Sequence, residues 1–182
     1  MGQFAPIPGV HVVGITGRAR SGKDELAKAI LRLVAGAERF AFSDAVAAVA
    51  RTTGIMRERD AAVLQKIGTS MRTLDPDVWC LALYGAMQDR RPDVAIATGI
   101  RYPNEDAMIR ALGGRLIGIR RPDAPALTDR DPAHPVEQQI DGLVDEADTV
   151  VEVPELEGVD AREAYFDEVA RYLVRSWLRV PA

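Results

Sequence analysis

The hydrophobic and polar positions along this chain of 182 residues follow two periods, one typical of strands and one typical of helices. Short apolar, β-branched runs predict five buried strands, at residues 10–16, 38–42, 93–100, 115–120 and 149–153. Apolar residues spaced by three and four positions predict helices at 22–35, 43–51, 58–74, 76–90, 104–113 and from 160 onwards. Strands that alternate with helices favour a three-layer α/β fold, in which helices cover both faces of a mainly parallel sheet.

Residues with strong preferences for helix ends refine three of these helices. Asp75 is predicted to cap a helix that begins at Pro76, because aspartate favours the N-cap and proline the first helical position. Asn104 is predicted to cap the next helix. Asp160 and Glu163 have the spacing of a capping box, which predicts the start of the C-terminal helix.

The helix predicted at 58–74 carries two different stripes. Its apolar stripe consists of Val63, Ile67, Met71 and Leu74. Its polar stripe, on the opposite side, contains Gln65, Gly68 and Arg72. We therefore expect the apolar stripe to face the core and the polar stripe to face away from it.

Composition and charge exclude several classes of function. The net charge of −4 argues against a protein that coats nucleic acid, and no apolar run approaches the roughly 20 residues that span a bilayer. The first residues lack a charged start followed by an apolar run, so no signal peptide is expected. Cys80 is the sole cysteine, so neither a disulfide nor a zinc cluster is expected, and its apolar context predicts an inert buried thiol. We expect no nucleic-acid or membrane partner and a cytoplasmic location.

A glycine-rich segment follows the first predicted strand and opens the first predicted helix. Its form is Gly17-x4-Gly22-Lys23-Asp24, the spacing of a phosphate-binding P-loop. Glycines let successive N–H groups point at one anion, the helix N-terminus adds its dipole, and Lys23 supplies a charge for the β- and γ-phosphates. The predicted ATP site is lined by Gly17, Arg18, Ala19, Arg20, Ser21, Gly22, Lys23, Asp24 and Glu25. The alternative is a strand-to-helix turn that binds nothing.

Asp24 occupies the position where serine or threonine normally contacts magnesium. A carboxylate also binds Mg²⁺, directly or through water, whereas without the metal it would repel the phosphates. We therefore predict that Asp24 is a metal ligand and that the protein depends strongly on Mg²⁺. The alternative is an acidic residue that merely favours the first turn of its helix.

Four stretches beyond the loop repeat the order of motifs found in one kinase family. They are 57–81, with Leu-Gln-Lys-Ile-Gly-Thr and Asp-Pro-Asp-Val-Trp, 98–105 (Thr-Gly-Ile-Arg-Tyr-Pro-Asn-Glu), 113–122 (Gly-Gly-Arg-Leu-Ile-Gly-Ile-Arg-Arg-Pro) and His-Pro-Val-Glu at 134–137. Together with Gly-x4-Gly-Lys-Asp, they resemble the phage-type deoxynucleoside monophosphate kinases over about residues 10 to 150. The resemblance implies a single P-loop kinase domain over 1–182, with an acceptor-binding region at 42–90 and a lid at 121–140.

The same resemblance implies a reaction and a set of partners. ATP with Mg²⁺ would phosphorylate a (deoxy)nucleoside 5′-monophosphate, giving ADP and the diphosphate. An anionic phosphate is already nucleophilic, so catalysis needs alignment and charge neutralisation more than a general base. The partners would be small nucleotides, and a phage gene acting in the host cytoplasm would supply precursors for DNA synthesis. The oligomeric state stays open, a homodimer included.

Arginines are expected to neutralise the transferred charge. The predicted catalytic residues are Lys23, Asp24, Arg101 and Arg121. By resemblance, Arg72 and Arg101 would hold the acceptor phosphate, and the alternative for each is a surface arginine. The acceptor pocket would be lined by Phe42, Ser43, Asp44, Gln65, Arg72, Trp79, Arg101 and Glu105. Trp79 would stack near the acceptor or, alternatively, belong to the core.

Residues 121–135 contain four prolines and no apolar period, which is typical of a functional loop or of an inert insertion. We interpret them as a lid that excludes water, with Arg120, Arg121 and Arg130 beside or within it. Three positions depart from the resembling family: Gly99 replaces its usual acid, Ala47 replaces a common lysine, and Val136 replaces a serine. Gly99 and Ala47 favour one alternative, a degenerate nucleotide-binding protein without turnover. The other alternative is a different small-molecule kinase of the phosphomevalonate type, which also has Gly-Lys-Asp in its loop.

Overall fold

The computed structural model describes residues 2–56, 58, 60–122 and 135–178. Its strands are β1 (His11–Gly17), β2 (Ala37–Ala41), β3 (Val94–Ile100), β4 (Arg115–Arg120) and β5 (Thr149–Glu152). Its helices are α1 (Lys23–Leu33), α2 (Phe42–Thr52), α3 (Ala61–Leu74), α4 (Val78–Arg90), α5 (Pro103–Ala111), α6 (Pro135–Asp145) and α7 (Gly158–Leu173), which a π-helical turn at Val174–Leu178 extends. The five predicted strands are confirmed, whereas α6 is a helix that the sequence pattern did not predict.

The strands form a parallel sheet in the order β2-β3-β1-β4-β5. β1 therefore lies in the middle, between β3 and β4, and the carboxyl ends of the strands meet at one edge. The residues of β1 and β3 are mostly buried, as expected for strands covered on both faces. In open α/β sheets, ligands bind outside the carboxyl ends of the strands, where the connections diverge to the two sides.

Helices cover both faces of this sheet. On one face, Leu26 of α1 and Phe166 of α7 belong to the same buried cluster as residues of β1, β3 and β4. On the other face, the buried cluster contains Phe42 of α2, Trp79 of α4 and Ile109 of α5. The predicted three-layer α/β architecture is confirmed. None of the described helices combines the length and the hydropathy that a bilayer span requires.

Two predicted helix caps are wrong at the start of α4 and α5. The carboxylate of Asp75 accepts a hydrogen bond from Asp77 N at 2.8 Å, so these residues form a turn and α4 begins only at Val78. Asn104 lies inside α5, whose N-cap is Tyr102. In both cases the polar side chain stabilises the connection between two elements instead of the first turn of its own helix.

The predictions for α7 and α3 also need correction. α7 begins upstream of Asp160, which therefore lies within the first helical turn, where a negative charge favours the helix dipole. In α3, Leu74 is 82% exposed, so the apolar stripe ends before it. Gly68 is buried although it belongs to the predicted polar stripe, because the side chains of Arg72 and Trp79 both donate to its carbonyl.

α6 occupies the end of the stretch that the sequence predicts to be a lid. Its residues Ile140, Leu143 and Val144 are buried, and Val144 packs against β4. The helical spacing of these three residues was the signal available in the sequence. Residues 123–134, with Arg130, lie outside the described residues.

Candidate active site

The glycine-rich loop connects β1 to α1 and lies at the carboxyl end of β1, the central strand of the sheet. Arg20, with a φ of 62°, and Gly22, with a φ of 109°, both have left-handed backbone conformations on either side of Ser21. Left-handed residues in a turn can direct neighbouring N–H groups toward one point, and α1 begins directly afterwards at Lys23. Since the first-turn N–H groups of a helix have no partner within it, the backbone forms a concavity suited to an anion.

The loop is packed so closely that two of its positions require glycine. A Cβ atom on Gly22 would lie 2.2 Å from Cζ of Phe166, a buried residue of α7. A Cβ atom on Gly17 would lie 2.5 Å from the carbonyl oxygen of Ile119 on β4. Real side chains do not approach so closely. The sheet and α7 together therefore hold the loop in its conformation.

Lys23 forms a hydrogen bond within the loop, and Arg18 forms an ion pair with α6. The Lys23 ammonium donates a hydrogen bond to Arg18 O at 2.5 Å, which holds this side chain against the loop. The Arg18 guanidinium forms a bidentate ion pair with Asp141, with an Nε–Oδ1 distance of 2.8 Å and an Nη2–Oδ2 distance of 2.5 Å. α6 is thus attached to the loop through Asp141, a partner that the sequence analysis missed.

Ser21 carries a buried hydroxyl within the loop. The residue is 1% exposed, and its Oγ has no hydrogen-bond partner in the described part of the chain. Buried hydroxyl groups are normally hydrogen-bonded. An oxygen of a bound phosphate would supply the missing partner, so this residue fits a triphosphate in the loop.

A network of charges lies at the carboxyl ends of β2 and β3. Arg39 of β2 donates hydrogen bonds to Asp44 Oδ2 at 2.9 Å and to Thr98 Oγ1 at 3.1 Å. Its Nη1 atom is also 3.9 Å from Asp24 Oδ1. Arg39 was not predicted as a site residue, because one charged residue in a short strand gives no distinctive pattern.

Asp24 has the chemistry that a magnesium ion requires. Its side chain is 71% exposed at the start of α1, and carboxylate oxygens are preferred ligands of this cation. Among the described residues, no group of three or more His, Cys, Asp or Glu side chains is placed to hold a metal. Mg²⁺ is commonly held by one or two carboxylates together with substrate phosphates and water, so Asp24 fits the ion in the presence of a nucleotide.

Glu105 organises the second predicted part of the site. It is 1% exposed, and its carboxylate accepts hydrogen bonds from Arg101 N at 2.7 Å and from Nη2 of Arg72 at 2.6 Å. Burial raises the pKa of Glu105, whereas these hydrogen bonds and the charge of Arg72 oppose that shift. The Arg72 guanidinium also stacks on the ring of Tyr102, 4.1 Å from its centroid. The structure therefore brings together three predicted residues, Arg72, Arg101 and Glu105.

Two other predicted acceptor residues belong to the core. Trp79 is 2% exposed, and its indole N–H donates to a backbone carbonyl of α3 at 3.0 Å. Phe42 is 3% exposed, so its side chain does not line an open pocket either. For Trp79, the alternative of a core residue is the correct one. Ser43 and Asp44 lie in the first turn of α2, and Gln65 is exposed on α3.

A pocket of about 220 Å³ lies beside the loop. It is lined by Arg20, Ser21, Gly22, Glu25, Arg121, Val153, Arg162 and Phe166. The pocket places Arg121 next to four predicted loop residues, and it adds Val153, Arg162 and Phe166, which the sequence analysis did not assign to a site. The Nε atom of Arg162 is buried without a hydrogen-bond partner among the described residues. Apolar walls flanked by guanidinium groups suit a planar polar ring.

No protein-family model matches the chain. A curated relative, the uncharacterized protein ORF77 of Ictalurid herpesvirus 1 (strain Auburn), is 31% identical over 116 residues, which is 60% of this chain. The chain spans about half the length of that relative, since the match covers 50% of it.

Several solved structures share the fold of this chain. Shikimate kinase from Aquifex aeolicus vf5 matches 92% of this chain and 98% of its own, with a TM-score of 0.54 and 15% identity. Dephospho-CoA kinase from Campylobacter jejuni matches 92% and 97%, with a TM-score of 0.53 and 12% identity. This chain has the P-loop kinase fold. The Deinococcus radiodurans tunicamycin resistance protein also matches, over 94% of each chain, with a TM-score of 0.53 and 14% identity. At such identities the P-loop kinase fold is established, and the substrate has to be inferred from the site itself.

Proposed function

We propose that this protein is a kinase that transfers the γ-phosphoryl group of ATP, in the presence of Mg²⁺, to a (deoxy)nucleoside 5′-monophosphate. The observation that carries the proposal is the geometry of the loop between β1 and α1. Its left-handed residues Arg20 and Gly22, the helix start at Lys23 and the buried hydroxyl of Ser21 together suit a triphosphate. The structural likeness to small-molecule kinases supports the same function.

The donor nucleotide would extend from the loop into the adjoining pocket. Lys23 would exchange its hydrogen bond to a loop carbonyl for contacts with the β- and γ-phosphates. The base would occupy the space between the apolar side chains of Val153 and Phe166, close to the guanidinium groups of Arg121 and Arg162. This arrangement makes the pocket the natural continuation of the phosphate site.

Asp24 would hold the metal together with phosphate oxygens. When bound, Mg²⁺ neutralises part of the charge on the transferred phosphoryl group. The position of Asp24 in the first turn of α1 keeps its carboxylate beside the loop. The oxygen ligands that Mg²⁺ prefers are therefore available where the triphosphate would lie.

Arg72 and Arg101 would hold the acceptor phosphate. Glu105 orders both residues, because it accepts hydrogen bonds from the Arg101 backbone and from the Arg72 guanidinium. An ordered guanidinium loses little conformational freedom when it binds a phosphate oxygen. Because the acceptor oxygen is already anionic, these residues would align and neutralise it, and no general base is required.

A different phosphorylated small molecule is the second candidate for the acceptor. Trp79 and Phe42 are buried and unavailable to contact a base, and Ala47, where the resembling family has a lysine, is 0% exposed. Fewer contacts specific to a nucleoside are therefore in place than the sequence predicts. An acceptor of the phosphomevalonate type would use the arginines without needing a base pocket.

The proposal is tested by measuring acceptor-dependent ADP release. The protein is incubated with ATP, Mg²⁺ and each (deoxy)nucleoside monophosphate in turn, with phosphomevalonate as a further acceptor. We expect Lys23→Ala to lower turnover by about 100-fold or more, because it removes a charge that acts on the transferred group. Lys28→Ala is the matched control, since Lys28 is an exposed lysine on the same helix.

The outcomes separate the candidates. Turnover with one nucleoside monophosphate that Lys23→Ala abolishes and Lys28→Ala preserves supports the proposal. Tight ATP binding without acceptor-dependent ADP release would contradict the proposal and favour a nucleotide-binding protein without turnover. Faster turnover with phosphomevalonate would identify the other class of acceptor.

A further inference from the structure

Arg39 is a partly exposed cation of β2 to which the proposed chemistry assigns no role. Its two hydrogen bonds, to Asp44 Oδ2 at 2.9 Å and to Thr98 Oγ1 at 3.1 Å, fix the guanidinium at the ends of β2 and β3. The contact with Asp24 is longer, at 3.9 Å, and is electrostatic. Arg39 is therefore held in place by Asp44 and Thr98, while its charge acts on Asp24.

The charge of Asp24 creates a difficulty that Arg39 can relieve. A carboxylate beside a phosphate loop repels a metal-free triphosphate, since both are negative. A guanidinium 3.9 Å from that carboxylate offsets the repulsion. The same positive charge disfavours a divalent cation at Asp24 by direct repulsion. Arg39 thus affects metal-free and metal-bound nucleotide in opposite directions.

We propose that Arg39 is a positioning residue that sets the magnesium dependence of the phosphate loop, by neutralising Asp24 without metal and by competing with Mg²⁺ for that carboxylate. The inference rests on the proposed function only in requiring that the loop binds ATP. It concerns how strongly the metal is needed, and it does not depend on the identity of the acceptor.

The expected effects follow from the charge and the distance. Two unit charges about 4 Å apart in a water-like environment change an equilibrium constant by about fivefold, and this factor is the upper limit of the effect that Arg39 has through Asp24. Arg39→Gln should therefore weaken ATP binding in EDTA by up to about fivefold and lower the Mg²⁺ concentration at half-saturation of the ATP complex by up to about the same factor. Arg39→Lys, which keeps the charge, should restore both values toward those of the unchanged protein.

The experiment is a calorimetric titration of ATP in EDTA, followed by a titration of Mg²⁺ into the protein–ATP complex. Arg90→Gln is the matched control, because Arg90 also pairs with a β2 residue, Glu38, at 3.2 Å but lies away from Asp24 in the contact network. A urea unfolding curve for each variant shows that it is folded. Asp24→Asn provides a second route: it leaves the contacts of Arg39 with Asp44 and Thr98 intact and should strengthen metal-free ATP binding.

Opposite shifts in the two titrations for Arg39→Gln, reversed by Arg39→Lys, support the proposal. The proposal is overturned if Arg39→Gln weakens both metal-free ATP binding and Mg²⁺ binding to the complex, or changes neither. A residue with a merely structural role would weaken both or neither. In that case ATP binding by the unchanged protein leaves the proposed function standing. Absence of ATP binding by the unchanged protein, with and without Mg²⁺, overturns the inference and the proposed function together. If Arg39→Gln does not fold, an unchanged metal-free ATP affinity in Asp24→Asn overturns the inference.

Discussion

Gly22 is the residue through which the phosphate loop depends most directly on the core. Its φ of 109° is a conformation that side chains disfavour, and a Cβ atom there would lie 2.2 Å from the ring of Phe166. The change Gly22→Ala therefore combines two separate penalties. One is backbone strain, and the other is a collision with a ring that is only 1% exposed and has little room to move.

Two other glycines separate these penalties. Gly99 has a φ of 78° but nothing within 4 Å of a Cβ atom, so Gly99→Ala isolates the backbone term at about 1–2 kcal/mol. Gly85, inside α4, has neither a left-handed φ nor a close neighbour, so Gly85→Ala should stabilise the protein by about 0.5–1 kcal/mol. For Gly22→Ala, overpacking adds about 1–3 kcal/mol to the backbone term, giving a loss of about 2–5 kcal/mol.

Urea unfolding of the ligand-free protein measures all three changes. The collision is isolated by a double-mutant cycle with Phe166→Leu, which makes space next to the alanine. We expect the loss of unfolding free energy in the double variant to be smaller than the sum of the two single losses by about 1 kcal/mol or more. Equal stabilities of Gly22→Ala and Gly99→Ala, together with an additive cycle, would refute the packing of Phe166 against the loop.

Two further predictions concern buried ionisable groups. Burial raises the pKa of Cys80 to about 12, so the thiol should react with a disulfide reagent at pH 8 only after unfolding; rapid reaction in the native protein would contradict its burial. Burial also raises the pKa of Glu105 above its ordinary value of 4.5, so its contribution to stability is fully present below that pH and declines as the pH rises. The unfolding free energy of wild type relative to Glu105→Gln, measured by urea titrations, should therefore fall as the pH rises above about 4.5, and a rise with pH would contradict the direction of the pKa shift.

The phosphate loop and the sheet were predictable because both depend on local sequence. Strand-sized apolar runs gave the five strands, and the spacing from Gly17 to Asp24 placed the loop between a strand and a helix. Such signals arise from periodicity and from the backbone freedom of glycine, which do not require knowledge of distant contacts.

The remaining features depend on contacts between residues far apart in sequence. Arg39 forms a hydrogen bond with Thr98 on a neighbouring strand, and Arg18 pairs with Asp141, which is 123 positions away in the sequence. Neither pair therefore produces a local sequence pattern. Trp79 sits on a helix whose apolar and polar residues show little periodicity, and only the packing of α3 and α4 shows that it is core. Helix caps were wrong where an aspartate or asparagine stabilises a connection, as with Asp75.

The most direct test is a calorimetric titration of ATP with Mg²⁺ into the unchanged protein, Lys23→Ala and Lys28→Ala. We expect one ATP per chain, an affinity for Lys23→Ala that is lower by about tenfold or more, and no change for Lys28→Ala, because only Lys23 lies in the loop. Equal affinities for the three proteins, or no ATP binding by any of them, would contradict the assignment of residues 17–24 as the site of the triphosphate.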